Sequence, residues 1–166
     1  MTLEEITRIE RSLAVPLPEF YRAFLLRYPT ELAATYTYFS SNHKHHIARF
    51  QLNDSAAELI ELNQDLRRPG TPWTENDGPW PDRYFAIGQD GCGGYFTIDL
   101  LSDSQAVFYY DHEIGCFASE HESLVAFAAQ LIAEALAWNA EHEPSAFLAA
   151  HPPAAALADP NQLSLL

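Results

Sequence analysis

The first third of the chain carries two apolar stripes at helical spacing. Thr2-Leu3-Glu4-Glu5 has the form of a capping box, and Ile6, Ile9 and Leu13 follow it at intervals of three and four residues. A second stripe lies between Pro18 and Pro29; the first proline suits an opening helical turn and the second ends the helix. The pattern therefore predicts two short helices.

Two segments then alternate apolar and polar residues with a period of two, as half-buried strands do. They are Tyr36–Phe39 and Ala48–Leu52. Ser55-Ala56-Ala57-Glu58 follows as a second capping box, and the leucines behind it predict a helix that stops before Pro69-Gly70.

The middle of the chain predicts an antiparallel sheet. The stretch from Pro69 to Pro81 is rich in Pro, Gly, Asn and Asp and indicates a loop. Three strand-like segments follow, Tyr84–Ile87, Tyr95–Leu101 and Val107–Tyr110. Because the connections between them are short, we expect antiparallel pairing.

The last predicted element is a long helix. Ser119-Glu120-His121-Glu122 forms a third capping box, and apolar residues from Leu124 to Trp138 trace one face behind it. Residues 141–166 form an Ala- and Pro-rich tail without a clear period, expected to be docked or mobile. The whole pattern predicts a single α+β domain over residues 1–140, with an antiparallel β-sheet packed against helices.

Charge divides the chain into two unequal halves. All nine Lys and Arg residues lie at or before Arg83, whereas residues 84–166 hold 11 of the 23 acidic residues. Most of the net charge of −14 therefore belongs to the second half. Such a surface predicts no binding to nucleic acid or to anionic membranes, and it attracts basic partners. Solubility alone would also account for it.

The two stretches most relevant to export and membranes both favour a cytoplasmic protein. Met1–Arg11 mixes three glutamates with two arginines, which is unlike the basic and then apolar order of a secretory signal. Leu124–Trp138 is interrupted by polar residues and falls short of the roughly 20 residues that cross a bilayer.

Gly88–Gly94 is the segment that most invites a chemical interpretation. Glycines let backbone N–H groups approach an anion, so a phosphate-binding loop has to be considered. However, no Lys follows, the next segment is a strand, and Asp90 would repel phosphate. A hairpin turn that requires positive φ explains the segment better, and a glycine surface that admits a partner's backbone is the remaining alternative.

Histidines and cysteines are the other candidates for chemistry. One group consists of histidines alone: His43, His45 and His46. The other combines histidines with acids: Asp111-His112-Glu113 with His121 and Glu122. Neither has the spacing of metal ligands. The two cysteines, Cys92 and Cys116, are expected to be unpaired, partly buried thiols. We therefore predict no metal, no cofactor, no catalytic residue and no enzymatic activity.

The order of these signals resembles the SUKH superfamily, which includes fungal cell-wall-assembly regulators and many bacterial immunity proteins. Four features carry the resemblance, over about residues 4 to 135: Leu17-Pro18-x-Phe20-Tyr21-x-x-Phe24-Leu25, Trp80-Pro81, Ile87-Gly88 to Asp99, and Val107 to His112. The block from Trp80 to Asp111 is the most specific. The chain departs from the pattern at Gly94, where many members carry an acidic residue.

The resemblance implies a non-catalytic α+β domain that binds and inhibits a cognate toxin, often a nuclease or deaminase, of a polymorphic or contact-dependent system. A regulatory or scaffolding interaction module of the same fold is the alternative. An acidic surface suits the first role, because it competes for the basic groove that holds nucleic acid.

The candidates for partner contact are aromatic residues, which anchor interfaces, carboxylates, which set specificity, and the glycines with their neighbours. They are Trp80, Asp90, Gly91, Gly93, Gly94, Tyr95, Asp99, Tyr109, Asp111, His112 and Glu113. Simpler roles stay open for some of them: of Tyr109 and Tyr110 one is expected in the core, and Asp99 could serve only to cap a turn.

Overall fold

The computed structural model describes residues 1–32, 51–69 and 78–142, and its elements follow the predicted order. The helices are α1 (Leu3–Leu13), α2 (Glu19–Leu26), α3 (Ala56–Leu66) and α4 (Leu124–His142). The strands are β1 (Gln51–Leu52), β2 (Tyr84–Gln89), β3 (Tyr95–Asp99), β4 (Val107–Asp111) and β5 (Cys116–His121). The predicted strand Tyr36–Phe39 and almost all of the predicted tail lie outside the described residues, as do positions 48–50 of the next predicted strand.

The first two predicted helix starts are confirmed: Thr2 and Glu5 form a complete capping box, and Ser55 caps α3 through its side chain alone. The Thr2 hydroxyl accepts a hydrogen bond from the backbone N–H of Glu5 at 3.3 Å, and the Glu5 carboxylate accepts from the backbone N–H of Thr2 at 2.7 Å. Ser55 accepts from the N–H of Glu58 at 3.5 Å at the start of α3. These bonds satisfy amides that the first helical turn leaves without partners.

The third capping box is wrong, because its serine lies inside a strand. Residues 116–121 form β5, and the ring of Phe117 packs 5.3 Å from Trp80 and 4.9 Å from Tyr110, centroid to centroid. This packing stabilises the segment as a strand and overrides the local helix signal. The actual cap of α4 is Ser123, whose hydroxyl accepts from the N–H of Ala126 at 3.1 Å.

The strands form one antiparallel sheet in chain order, β1-β2-β3-β4-β5. Each of the three predicted strands after residue 83 pairs with its neighbours in antiparallel register, for example Phe85 with Ile98 and Phe96 with Tyr109. A bulge between Ala86 and Gly88 shifts the register of β2 just before its turn. The predicted α+β fold with an antiparallel sheet is confirmed.

Side chains on the two faces of the sheet belong to two separate buried clusters. The helices cover one face, where Phe85, Ile87, Phe96 and Ile98 meet residues of all four helices. The opposite face carries a smaller, mostly aromatic cluster: Leu66, Trp80, Ala86 and Tyr110, with Leu62, Tyr84, Tyr95 and Phe117 packed against them. Alternation along the strands produces this division, and the bulge in β2 interrupts it by placing Gly88 opposite Phe96.

Helix α4 has one buried side and one polar side. Leu124, Phe127 and Leu131 are buried, whereas Gln130 and Glu134 are exposed and hydrogen-bonded to each other at 2.7 Å. Among the helices in the described ranges, none combines the length and the apolar character that a membrane span requires.

The edge of β2 is completed by side chains, because β1 pairs with only its last two residues. The Asn63 amide donates to the carbonyl oxygen of Ala86 at 2.8 Å and accepts from its N–H at 2.9 Å, as a neighbouring strand would. Arg67 and the indole of Trp80 both donate to the carbonyl oxygen of Tyr84, each at 2.9 Å. Asn63 is 0% exposed, so these bonds form without competition from water.

We expect Asn63→Leu to lower the free energy of unfolding by about 2 to 5 kcal/mol, because the buried N–H and C=O of Ala86 lose their partner. Urea unfolding measures the loss. The control is Gln64→Leu, an exposed change on the same helix that should cost at most about 0.5 kcal/mol. Equal losses in the two variants would contradict this role for Asn63.

Candidate partner-binding site

Two turns lie side by side at one end of the sheet. The β2–β3 turn and the β4–β5 turn are neighbours because β3 pairs with β4 in a register that joins Tyr95 to Tyr110. Their contact is close: a Cβ atom at Gly93 would lie 3.0 Å from Cγ and Nδ1 of His112. The turns therefore form one joint surface, which we call the paired turns (residues 90–94 and 111–115).

The carboxylate of Asp90 organises the first of the paired turns. Its Oδ1 accepts hydrogen bonds from the backbone N–H groups of Cys92 at 2.7 Å and Gly94 at 2.9 Å, and its own N–H donates to the carbonyl oxygen of Gly94 at 3.0 Å. Gly91 and Gly93 have φ of 75° and 99°, a region that glycine enters without strain. The predicted hairpin turn with positive φ is confirmed.

Tyr109 ties this turn to β4. Its hydroxyl donates to Oδ2 of Asp90 at 2.6 Å. Burial, followed by the hydrogen bond to this carboxylate, raises the pKa of Tyr109 well above its ordinary value. The phenol therefore stays protonated at neutral pH and acts as a fixed donor.

The second of the paired turns is ordered in a similar way. Oδ1 of Asp111 accepts from the N–H of Glu113 at 2.8 Å, and its backbone carbonyl oxygen accepts from the N–H of Gly115 at 2.8 Å. Gly115 has φ of 64°. Between these fixed points, the Glu113 side chain and Ile114, which is 71% exposed, project towards solvent.

His112 lies where the two turns touch. Its Nδ1 atom is buried and has no hydrogen-bond partner among the described residues. Burial of an unpaired polar nitrogen costs free energy, so closure of the two turns is opposed at this point. The hydrogen bond from Tyr109 to Asp90 ties the first turn to β4 against that cost, and the pairing of Tyr95 with Tyr110 keeps the two turns adjacent.

A comparison with protein-family models identifies the family of the chain. Residues 1–131 match the model described as SMI1 / KNR4 family (SUKH-1). The chain belongs to this SUKH-1 family. The match runs from α1 into α4 and confirms the resemblance found in the sequence. No curated protein and no solved structure matches the chain.

The paired turns explain why this SUKH-1 member has glycine at position 94. A Cβ atom there would lie 2.0 Å from the hydroxyl oxygen of Tyr109 and 2.6 Å from Oδ2 of Asp90. The hydrogen bond between these two side chains occupies the space above Gly94. An acidic side chain at this position is therefore incompatible with the arrangement of this SUKH-1 chain.

Three of the predicted contact residues, Trp80, Tyr95 and Asp99, are not part of the paired turns. Asp99 is 4% exposed at the opposite end of β3, where it forms an ion pair with Arg83 and accepts from the N–H of Leu101 at 2.9 Å. The hydrogen bond from Arg83 lowers the pKa of Asp99. Asp99 thus caps a turn, as its simpler interpretation predicts.

Trp80 and Tyr95 belong to the aromatic cluster on the face opposite the helices. Trp80 is 4% exposed, and its ring meets those of Tyr95, Tyr110 and Phe117 at centroid distances of 5.3 to 5.7 Å. Tyr110 is buried there and Tyr109 is half-buried, so one of the adjacent tyrosines is a core residue, as predicted. Direct contact of Trp80 or Tyr95 with a partner stays a prediction.

The other eight predicted residues do meet at the paired turns: Asp90, Gly91, Gly93, Gly94, Tyr109, Asp111, His112 and Glu113. Sequence reasoning missed Ile114 and the whole of β5, which follows directly. A weak signal for both was present, because Gly115 in a polar turn after a strand is typical of a hairpin.

Metal ligation and thiol chemistry find little support in the described ranges. No group of three or more His, Cys, Asp or Glu residues within them could hold a metal ion. His43, His45 and His46 lie outside the described residues. Cys92 and Cys116 are free and both exposed, so their expected partial burial is wrong.

We expect Gly94→Ala to lower the free energy of unfolding by about 1 to 3 kcal/mol, because the new methyl group displaces Tyr109 and Asp90. The matched control is Gly78→Ala, where no described atom lies within 4 Å of the added Cβ. Thermal unfolding of both variants measures the difference. A Gly94→Ala protein as stable as the control would show that the Tyr109–Asp90 contact is dispensable.

Proposed function

We propose that this SUKH-1 protein is an immunity protein, which neutralises a cognate bacterial toxin in the cytoplasm by occupying it through the paired turns. The observation that carries the proposal is that the paired turns are pre-ordered by their own hydrogen bonds and hold three acids but no Lys or Arg. Of these acids Glu113 is exposed, and two further exposed acids, Glu120 and Glu122, lie towards the opposite end of β5.

The charge of this surface suits a basic partner. A toxin that processes nucleic acid, such as a nuclease or deaminase of a polymorphic or contact-dependent system, binds the phosphate backbone in a positively charged groove. An acidic protein surface competes for the same groove and raises the rate of encounter. The same charge disfavours nucleic acid and anionic membranes as partners.

The hydrogen bonds within the paired turns support a role in which the protein occupies its partner, in preference to a catalytic role. The Asp90 carboxylate accepts three hydrogen bonds from its own chain, and Tyr109 keeps its proton. Their hydrogen-bonding groups are engaged within the chain, so they fix the shape of a binding surface before the partner arrives.

Co-expression tests the immunity role. The open reading frame beside the gene of this protein is expressed in a bacterial host, alone and together with this chain. We expect growth arrest by the neighbour alone and rescue by the wild-type chain, since an immunity gene accompanies its toxin. A harmless neighbour that nevertheless binds this chain would contradict immunity and favour the regulatory or scaffolding alternative.

We expect electrostatic steering in the binding of the neighbour's product. The double variant Glu113→Gln/Glu120→Gln keeps side-chain shape and removes two exposed charges. It should lower the association rate constant about threefold at low salt and less at high salt, because salt screens the attraction.

The control for this measurement is Glu4→Gln/Glu61→Gln, which removes two exposed charges from α1 and α3. Stopped-flow association rates over a salt series compare the three proteins. Equal rates in both double variants, with no dependence on salt, would contradict steering by Glu113 and Glu120.

A further inference from the structure

The two edges of the sheet differ in how their backbone groups are satisfied. At one edge, β1 covers the end of β2, and the side chains of Asn63, Arg67 and Trp80 hydrogen-bond to Ala86 and Tyr84. At the other edge lies β5, six residues long. Among the described ranges, β5 pairs with β4 alone.

The features that normally protect a free edge are few in β5. Such edges carry proline, lysine or a bulge, or they are very short. β5 has no Pro, Lys or Arg, and its register shift lies near its end, opposite Val107 and Phe108. Residues 116–119 pair regularly with β4, and three of these four are exposed.

The outer edge of β5 therefore offers backbone donors and acceptors in a regular row. In an antiparallel ladder, successive residues direct their N–H and C=O groups alternately towards the two sides. An extended segment can pair with the outward-facing groups and extend the sheet by one strand.

We propose that β5 is a docking edge for an extended segment of the partner that carries Lys or Arg on alternate positions. The inference rests on the proposed function and deepens it, since β5 begins directly after the second of the paired turns. Ile114, exposed at the junction, supplies an apolar anchor beside the new strand.

Charge selects a basic partner over the other possible occupants. Glu113, Glu120 and Glu122 lie on or beside β5, and a second copy of this chain would bring the same acids together across the joined edge. Residues 143–166 of the chain itself hold no Lys or Arg and add two further acids. Opposite charges on facing strands stabilise pairing, and like charges oppose it.

The exposed thiol of Cys116 allows a direct test on the full chain. The probe is a peptide with an N-terminal cysteine, a glycine spacer and three Lys-Val pairs, joined by a disulfide to Cys116 in a Cys92→Ser variant. Tethering raises the effective concentration of the peptide to about the millimolar range. Hydrogen exchange by nuclear magnetic resonance then reports on the backbone amides of β5.

Two matched controls test separately the position of the tether and the charge of the peptide. In the Cys116→Ser variant the same peptide is joined to Cys92, an exposed thiol in the other turn and away from the edge. In the second control, Glu replaces Lys in the peptide. We expect alternate amides of β5 to exchange about tenfold more slowly only with the lysine peptide at Cys116.

Equal protection by the lysine and glutamate peptides, or none by either, would overturn the proposal. Slow exchange of every β5 amide in the untethered protein would also overturn it, because the edge would already be occupied by its own chain or a second copy. A neighbour product that binds and is neutralised without protecting β5 amides would overturn the docking edge and leave the immunity role intact. Strand docking by the lysine peptide without any rescue in co-expression would support the edge and contradict immunity.

Discussion

The buried amide of Asn63 joins helix α3 to the sheet by hydrogen bonds, in addition to the apolar core that the two layers share. All four hydrogen-bonding capacities of the Asn63 side chain are used: it donates to the carbonyl oxygens of Leu59 and Ala86 and accepts from Ala86 N–H and from Arg67. A buried amide with unsatisfied groups would be costly, whereas a satisfied one fixes a unique geometry. This contact sets the position of α3 against β2, and β2 leads into the first of the paired turns.

The order of the paired turns depends on that position. β2 leads into Asp90, β3 leaves from Gly94, and β4 supplies Tyr109, so the three strands must be in register for the phenol to reach the carboxylate. Residues whose side chains suggest a chemical role in the sequence therefore serve to order the turns in the fold. What remains free for a partner is a rigid surface with Glu113 and Ile114 at its front, and rigidity lowers the entropic cost of binding.

Local signals predicted the parts of this fold that local interactions stabilise. The capping bonds between Thr2 and Glu5 and the glycine turn after β2 involve residues within a few positions of each other. Ser119 has the same local signal, yet contacts between Phe117 and distant aromatic residues place it in a strand. Asn63 had no local signal at all, because its partner Ala86 is 23 residues away and an asparagine in a helix does not reveal such a contact.

The fold shows where the unevenly distributed charges of the sequence lie and what they contact. Arg22, Arg67 and Arg83 are engaged with Glu10, Asn63 and Asp99, so these cations stabilise internal contacts. Acids beyond residue 103 have no Lys or Arg near them in the sequence, and several face solvent. Under the proposed function, the exposed acids attract a basic protein towards the side of the sheet that the paired turns and β5 form. Steering governs the rate of arrival, whereas short-range contacts, including any backbone pairing along β5, govern how long the complex lasts. Because the two effects arise from different groups, a proposed partner can change in sequence at its contact surface while keeping the positive charge that brings it to this side of the sheet.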